Sequence, residues 1–285
     1  MRHHALQRLL VRMQYDPAFA ASLLAEAARP ALPAELVRLG LGERERDWLR
    51  AMDVRAFHHD PLKRRRALRG LMEELKAASA IALAETRRIA FLDGFFTSRA
   101  FHEAIQERGS LAAAYARFLR EAGLKTPQLA GVVAIELELA RSRRALEAAG
   151  GVDWKAPPVP PGGLTHVARA PGVAVGRHSP DALLAIQMVE KYLFEIGLVP
   201  ALALVDDAPR LELPPPSSPG KGPSALLLGF VPTQSGISLV ELEEPLFRAI
   251  AAVDGRAVPV ERIGAGLAAE LVEDEVLVAV SPEGR

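Results

Sequence analysis

The sequence predicts an α+β protein, with a helical domain over 1–150, a Pro/Gly-rich linker over 151–163 and a smaller α+β domain over 164–285. Three observations carry this. Residues 5 to 149 are dominated by Ala, Leu, Arg and Glu, with prolines where helices begin. The stretches GVDWKAPPVPPGG (151–163) and DAPRLELPPPSSPGKGP (207–223) combine Pro, Gly and Ser with no packed periodicity. From Ser224 onward, alternating apolar residues give way to helical spacing.

The first domain reads as helices over about 5–14, 17–28, 33–39, 43–52, 61–92, 98–107, 111–122 and 127–148. Their starts are marked chemically. Asp16-Pro17, Asp60-Pro61, Thr126-Pro127 and Ser179-Pro180 each set an oxygen-bearing cap before a proline, which loses no helical hydrogen bond at the first position. Ser110 caps LAAAYARFLREAG in the same way. This is a compact helical domain and not a repeat array.

In the second domain, THVARAPGVAVGRHS reads as short strands, SPDALLAIQMVEKYLFEIG as a helix and LVPALALVDD as a further strand, all packed with the C-terminal sheet. Residues 224 to 281 then give two strands, SALLLGFVP and GISLVELEEP, followed by three short helices, LFRAIAAVDGR, AVPVERI and GAGLAAELVEDEVLVAV. Ile237, Leu239 and Leu242 follow a mostly period-two pattern. Leu246, Ile250 and Val253 fall at helical spacing after Pro245, which a first turn tolerates. Asp254-Gly255 supplies the turn that stops this helix. Two strands and three helices in this order are the layout of a small winged-helix module.

The residues LVELEEPLFRAIAAVDGRAVPVERI and AAELVEDEVLVAV resemble the peptide-chaperone domain of pyrroloquinoline quinone biosynthesis and the recognition elements of enzymes that modify ribosomally made peptides. The resemblance implies that a leader peptide adds a strand to an exposed sheet edge beside the last helix, by ordinary β-augmentation. On that basis Ile237, Ser238, Leu239, Val240, Glu241 and Leu242 are the candidate edge strand, and Ala268, Leu271, Val272 and Glu275 the candidate groove. Whether residues 164 to 175 cover that edge is left open.

A second resemblance lies in FFTSRAFHEAIQERGSLAAAYARFLREAGLKTPQLAGVVAIELELARSRRAL, residues 95 to 146, carried by Phe101, Gly109, Ser110, Phe118, Leu119, Leu129 and Glu136. It looks like the helical domain of partner proteins of multinuclear non-haem iron oxidative enzymes in peptide natural-product pathways. The resemblance implies a heterodimer with an iron-dependent oxidative enzyme. The iron belongs to that enzyme, and this chain carries no cofactor of its own. Arg64, Arg65, Phe101 and Phe118 are the candidate partner-binding residues. The N-terminal stretch DPAFAASLLAEAARPALPAELVRLGLGERERDWLRAMD departs from the usual partner pattern.

Composition excludes several classes. Thirty-five basic and thirty-five acidic residues cancel, which argues against a surface that grips nucleic acid throughout. No apolar run reaches the roughly 18 residues of a membrane span, and the N-terminus lacks the apolar core of a secretory signal. The expected location is cytoplasmic. With no cysteine, thiolate catalysis, disulfides and cysteine metal sites are ruled out.

The remaining candidates for chemistry are weak. His3, His4, His58, His59, His102, His166 and His178 form no HExxH pattern, and His58-His59-Asp60 precedes a helix cap, so no metal site is expected. Gly220-Lys221-Gly222 lacks the frame of a phosphate loop, and GxSxG is absent. Glu136 and Glu138, two apart on one helix, face different sides, so a buried, hydrogen-bonded Glu136 is favoured over acid-base work. The run Lys63-Arg64-Arg65-Arg66 with Arg69 reads as a solvated face balanced by Glu73 and Glu74, or as a contact for an acidic partner.

The expectation is therefore a non-catalytic accessory protein that binds the leader of a ribosomal precursor peptide and presents its core to the oxidative enzyme by raising its effective concentration. A DNA-binding regulator and a purely structural subunit are the alternatives. GAGLAAELVED offers no Arg, Lys, Asn or Gln to read base edges, which counts against the first.

Overall fold

The computed structural model describes residues 2–52, 61–161, 163–195, 210–216, 224–230, 237–253 and 256–281. They fall into two compact units, the first of residues up to Lys125, the second of Thr126–Glu195 and the chain from Leu211 onward. The α+β expectation holds: helices predominate, and two three-stranded antiparallel sheets lie in the second unit.

The first unit runs α1 (Arg2–Tyr15), α2 (Pro17–Ala27), α3 (Ala34–Arg38), α4 (Glu43–Ala51), α5 (Pro61–Glu74), α6 (Lys76–Thr86), α7 (Ile89–Asp93), α8 (Arg99–Glu107) and α9 (Leu111–Glu121). Two of the expected caps are in place. Asp16 accepts from Phe19 N at 3.0 Å, and Ser110 accepts from Ala113 N at 3.3 Å. Asp60 lies outside the described residues. The helix expected over 61–92 is instead three. It breaks at Leu75, whose backbone (φ −117°, ψ 61°) leaves the helical region as its side chain is fully buried, and again at Arg87, which ends α6 in the left-handed conformation with φ 53°.

Two apolar clusters hold this unit. Leu9, Met13, Leu23, Leu36 and Leu49 join α1 to α4. Tyr15, Phe95, Phe96, Phe101, Tyr115 and Phe118 form a nest of edge-on and stacked rings with centroids 5.2 to 6.2 Å apart. Beside it α6 is buried from Ala77 through Leu83, as a helix apolar on every side must be. Its one polar group there, Ser79, meets the Tyr115 hydroxyl at 3.1 Å, which spares both the cost of burial without a partner.

The second unit begins with α10 (Leu129–Ala149), followed by β1 (His166–Arg169), β2 (Val173–His178), α11 (Pro180–Glu195), β3 (Ser224–Phe230), β4 (Ile237–Glu241), α12 (Glu244–Ala251), β5 (Val258–Pro259), α13 (Ala265–Glu273) and β6 (Leu277–Val280). The assignment of α10 to the helical domain is corrected: the division falls at Lys125–Thr126, ahead of the Pro/Gly-rich stretch. Its cause is packing, since α10 lies across β2, β3 and α11. α10 starts after Gln128 and not at the expected Thr126-Pro127 step, and the Gln128 amide is tied to the Pro214 carbonyl at 2.6 Å. Ser179 does cap α11, accepting from Asp181 N at 3.2 Å.

One sheet has the order β2-β3-β4, with Val175 opposite Leu227 and Leu228 opposite Leu239. The other has the order β5-β1-β6, with Val167 opposite Val258 and Ala279. The residues between 164 and 178 thus form the two expected short strands. LVPALALVDD and the Asp254-Gly255 turn lie outside the described residues.

Two expected C-terminal helices differ. AVPVERI is the short strand β5 followed by a single tight turn, Val260–Arg262. The last helix stops at Glu273; Glu275 takes φ 57°, and Leu277 to Val280 pair with β1 as a strand. Leu277, Val278 and Ala279 are all buried, and an apolar run buried throughout carries no period to separate strand from helix.

Candidate functional site

β4 lies at an edge of its sheet. Its inner side pairs with β3 from Ile237 to Glu241, and among the described residues no strand pairs with its outer side. The question of coverage by residues 164 to 175 resolves accordingly: β1 belongs to the other sheet, and β2 pairs with β3 on the side away from β4. Val240 is 45% exposed, Glu241 is exposed and Leu239 is half-buried.

The end of β4 is fixed firmly. Leu242 is buried with Val167, Ile250, Val258, Ala268, Leu271 and Leu277. Two residues later Glu244 opens α12 and receives the Arg177 guanidinium on both carboxylate oxygens at 2.6 Å and Arg248 at 2.7 Å. The hydrogen bond from Arg177, then that from Arg248, holds the Glu244 carboxyl below its usual range. Arg177 also lies 4.4 Å over the Phe247 ring. This clamp joins α12 to β2 and so sets where β4 ends.

The groove residues are partly corrected. Ala268 and Leu271, like Leu242, point into the core, where helical spacing combined with apolar character ordinarily places a side chain, and a peptide cannot touch them. Val272 and Glu275 are half-buried, the latter in the turn before β6. What α13 exposes is Ala265, Gly266, Ala269, Glu270 and Glu273.

The partner-binding residues are corrected similarly. Phe101 is fully buried in the aromatic nest, and Phe118 is half-buried against Phe91, Phe95 and Tyr115. Arg64 is held inside the first unit, donating to Asp93 Oδ1 at 2.7 Å, Asp93 Oδ2 at 2.6 Å and the Tyr15 carbonyl at 3.0 Å. Only Arg65 of the four is exposed.

Sequence reading missed one pair. His178 on β2, buried, meets Glu138 of α10 at 3.1 Å, over a separation of 40 residues that no motif marks. Gly176 makes room for it: a Cβ there would stand 2.6 Å from both Glu138 Oε2 and His178 Nε2. Glu136, on the same helix, is buried as expected.

In the first unit His102 has a titration consequence. Its Nε2 is buried with no hydrogen-bond partner among the described residues and lies 3.9 Å from Asp16 Oδ2. Burial, then the nearby Arg12 guanidinium, pushes its pKa below the usual 6.5 against the pull of Asp16 and Glu35. The unfolded chain therefore binds this proton more readily than the folded one, and stability falls as pH drops through about 6.5 toward the folded value. Glu35, lowered chiefly by its hydrogen bond from Arg38, adds a loss below its usual 4.5. Urea unfolding midpoints should decline between pH 7 and 5.5, and His102→Gln should flatten that decline while leaving the steeper loss at lower pH.

Among the described residues no cluster of three or more His, Asp or Glu is placed to hold a metal ion, and no helix is long and apolar enough to cross a membrane. His58 and His59 lie outside the described residues. In comparisons with known proteins, the chain matches no family model and no curated protein.

Proposed function

We infer that this chain is a non-catalytic accessory protein that captures the leader of a ribosomally made precursor peptide on β4 and holds the peptide core near an iron-dependent oxidative enzyme. One observation carries the reading. The strand that the sequence resemblance singles out is a sheet-edge strand whose outer side has no strand partner among the described residues, which is what β-augmentation requires. The run β3, β4 and α12, with α13 after the strand β5 and the Val260–Arg262 turn, supports the reading in part: two strands lead into a helix as expected, while the second of the three expected helices is a strand and a turn.

In this reading backbone hydrogen bonds from β4 supply affinity, and Leu239 and Val240 supply apolar contact on alternate faces. Tethering then raises the local concentration of the core at the partner's active site without any turnover by this chain. A DNA regulator fits less well. The exposed positions of α13 include Glu270 and Glu273 and no base, so the helix would bring negative charge to phosphate.

The test is a fluorescence titration of the full chain with the leader of any short peptide encoded next to its gene, together with co-purification of any iron-dependent oxidative enzyme encoded there. Binding with a dissociation constant of about 10 μM or tighter is expected. If the chain holds the enzyme but binds no leader, it is a structural subunit and the reading is wrong.

A further inference from the structure

The geometry points to a second, separate ligand site: an open cleft between α1 and the α8–α9 junction that takes a small oxyanion, a carboxylate or phosphate group on a compact molecule. The cleft has a volume of about 730 Å³ and is bordered by His4, Arg8 and Val11 on one side and by Ile105, Arg108 and Leu111 on the other. That volume is within the roughly 300–1,000 Å³ of ordinary small-ligand clefts.

The arginines set the ligand's charge. Several guanidinium groups elsewhere in this unit are matched to carboxylates, as in Arg38 with Glu35, Arg64 with Asp93, and Arg99 and Arg117 with Glu103. Arg8 and Arg108 are different. Arg8 donates to the Gln106 carbonyl at 2.8 Å and the His4 carbonyl at 3.2 Å, and Arg108 donates to His4 Nδ1 at 2.6 Å. None of these acceptors is a carboxylate, so two guanidinium groups line one cleft against the single carboxylate that borders it, Glu107.

Each contact also organises the cleft. A guanidinium can only donate, so its contact fixes His4 as the tautomer whose Nε2 carries the proton, a third donor at the rim. Arg108 is set there by the chain itself, since it ends α8 in the left-handed conformation with φ 54°. Val11, Ile105 and Leu111 give the cleft an apolar side suited to the body of a small molecule rather than to a bare ion. Glu107 also borders the cleft, outside ion-pairing distance of either arginine, and opposes an anion.

The experiment is calorimetric titration of the full chain with citrate and, separately, inorganic phosphate, at constant ionic strength so that general screening does not change. Saturable binding of citrate at about 1 mM or tighter is expected, with phosphate, lacking a carbon body, weaker. Arg108→Gln should weaken citrate by about tenfold, the scale of one lost charge-assisted contact, and Glu107→Gln should strengthen it by about threefold. Arg120→Gln, the same charge change at an exposed site on α9 that does not border the cleft, should leave affinity unaltered. Arg8 is left intact because its bond to the Gln106 carbonyl joins α1 to α8. Absence of saturable binding, or equal weakening by Arg108→Gln and Arg120→Gln, overturns the site; tighter binding of phosphate than citrate overturns the role given to the apolar side.

Discussion

Replacing Gly131 with alanine is expected to destabilise the chain by about 1–2 kcal/mol, although the same exchange in an exposed helix ordinarily stabilises by about 0.5–1 kcal/mol. A Cβ at Gly131 would stand 2.7 Å from the Ala182 Cβ. Carbon atoms pack at about 3.5–4.0 Å, so α10 and α11 would have to part by about 1 Å. Ala182 offers no rotatable group to swing aside, and overpacking of this kind costs about 1–3 kcal/mol. Gly131→Val, with two further methyl groups, should cost more than Gly131→Ala and lower the melting temperature by about 5–10 °C. Gly70 in α5 supplies the contrast, since a Cβ there meets nothing within 4 Å. Gly70→Ala should raise stability by about 0.5–1 kcal/mol. If Gly131→Ala stabilises as Gly70→Ala does, the close approach of α10 to α11 is wrong.

The same contact shows where sequence reading stops. The caps at Asp16, Ser110 and Ser179 were legible because the chemistry that starts those helices lies within three residues of the start. The alliance of α10 with α11 was not, because Gly131 and Ala182 are small residues whose meaning depends on a helix 51 positions away. Nor was the break at Leu75: its helical propensity is high, and burial of the side chain with tertiary packing overrides it. The strand β6 was misread for a related reason. LVAV is buried on both faces, and the partner that makes it a strand, β1, lies more than 100 residues earlier.

The candidate site divides along similar lines. That residues 237 to 241 form a strand followed at once by a helix was written in the alternation through Leu239 and in Pro245. That this strand is an edge is a property of the sheet, set by which side of β3 the β2 strand takes. Ala268 and Leu271 looked like groove residues because they are apolar and face one side of a helix, but that side is covered by Leu242, Ile250 and Leu277. Arg64 looked like a partner contact because a basic run in sequence does not disclose Asp93, 29 residues on. Buried pairing and exposed charge read alike in one dimension.

Proline at two adjacent positions of β4 should separate the fold from the binding. Along a strand in an antiparallel sheet, successive N–H groups point alternately toward and away from the neighbour, so of Leu239 and Val240 one donates toward β3 and the other outward. Proline removes that donor and is tolerated on an edge strand only where the N–H faces away from the sheet. One of Leu239→Pro and Val240→Pro should therefore unfold the second unit, and the other should keep the circular dichroism of the parent. If β4 captures a leader as proposed, the variant that folds should lose leader affinity by about tenfold or more, the equivalent of about 1.4 kcal/mol, because a hydrogen bond to the added strand is gone and the proline ring stands in its place. The proposed oxidative partner should still co-purify. A folded proline variant that binds leader as tightly as the parent would move the peptide off β4, whereas loss of leader with retention of the enzyme places capture and docking on different surfaces of the chain.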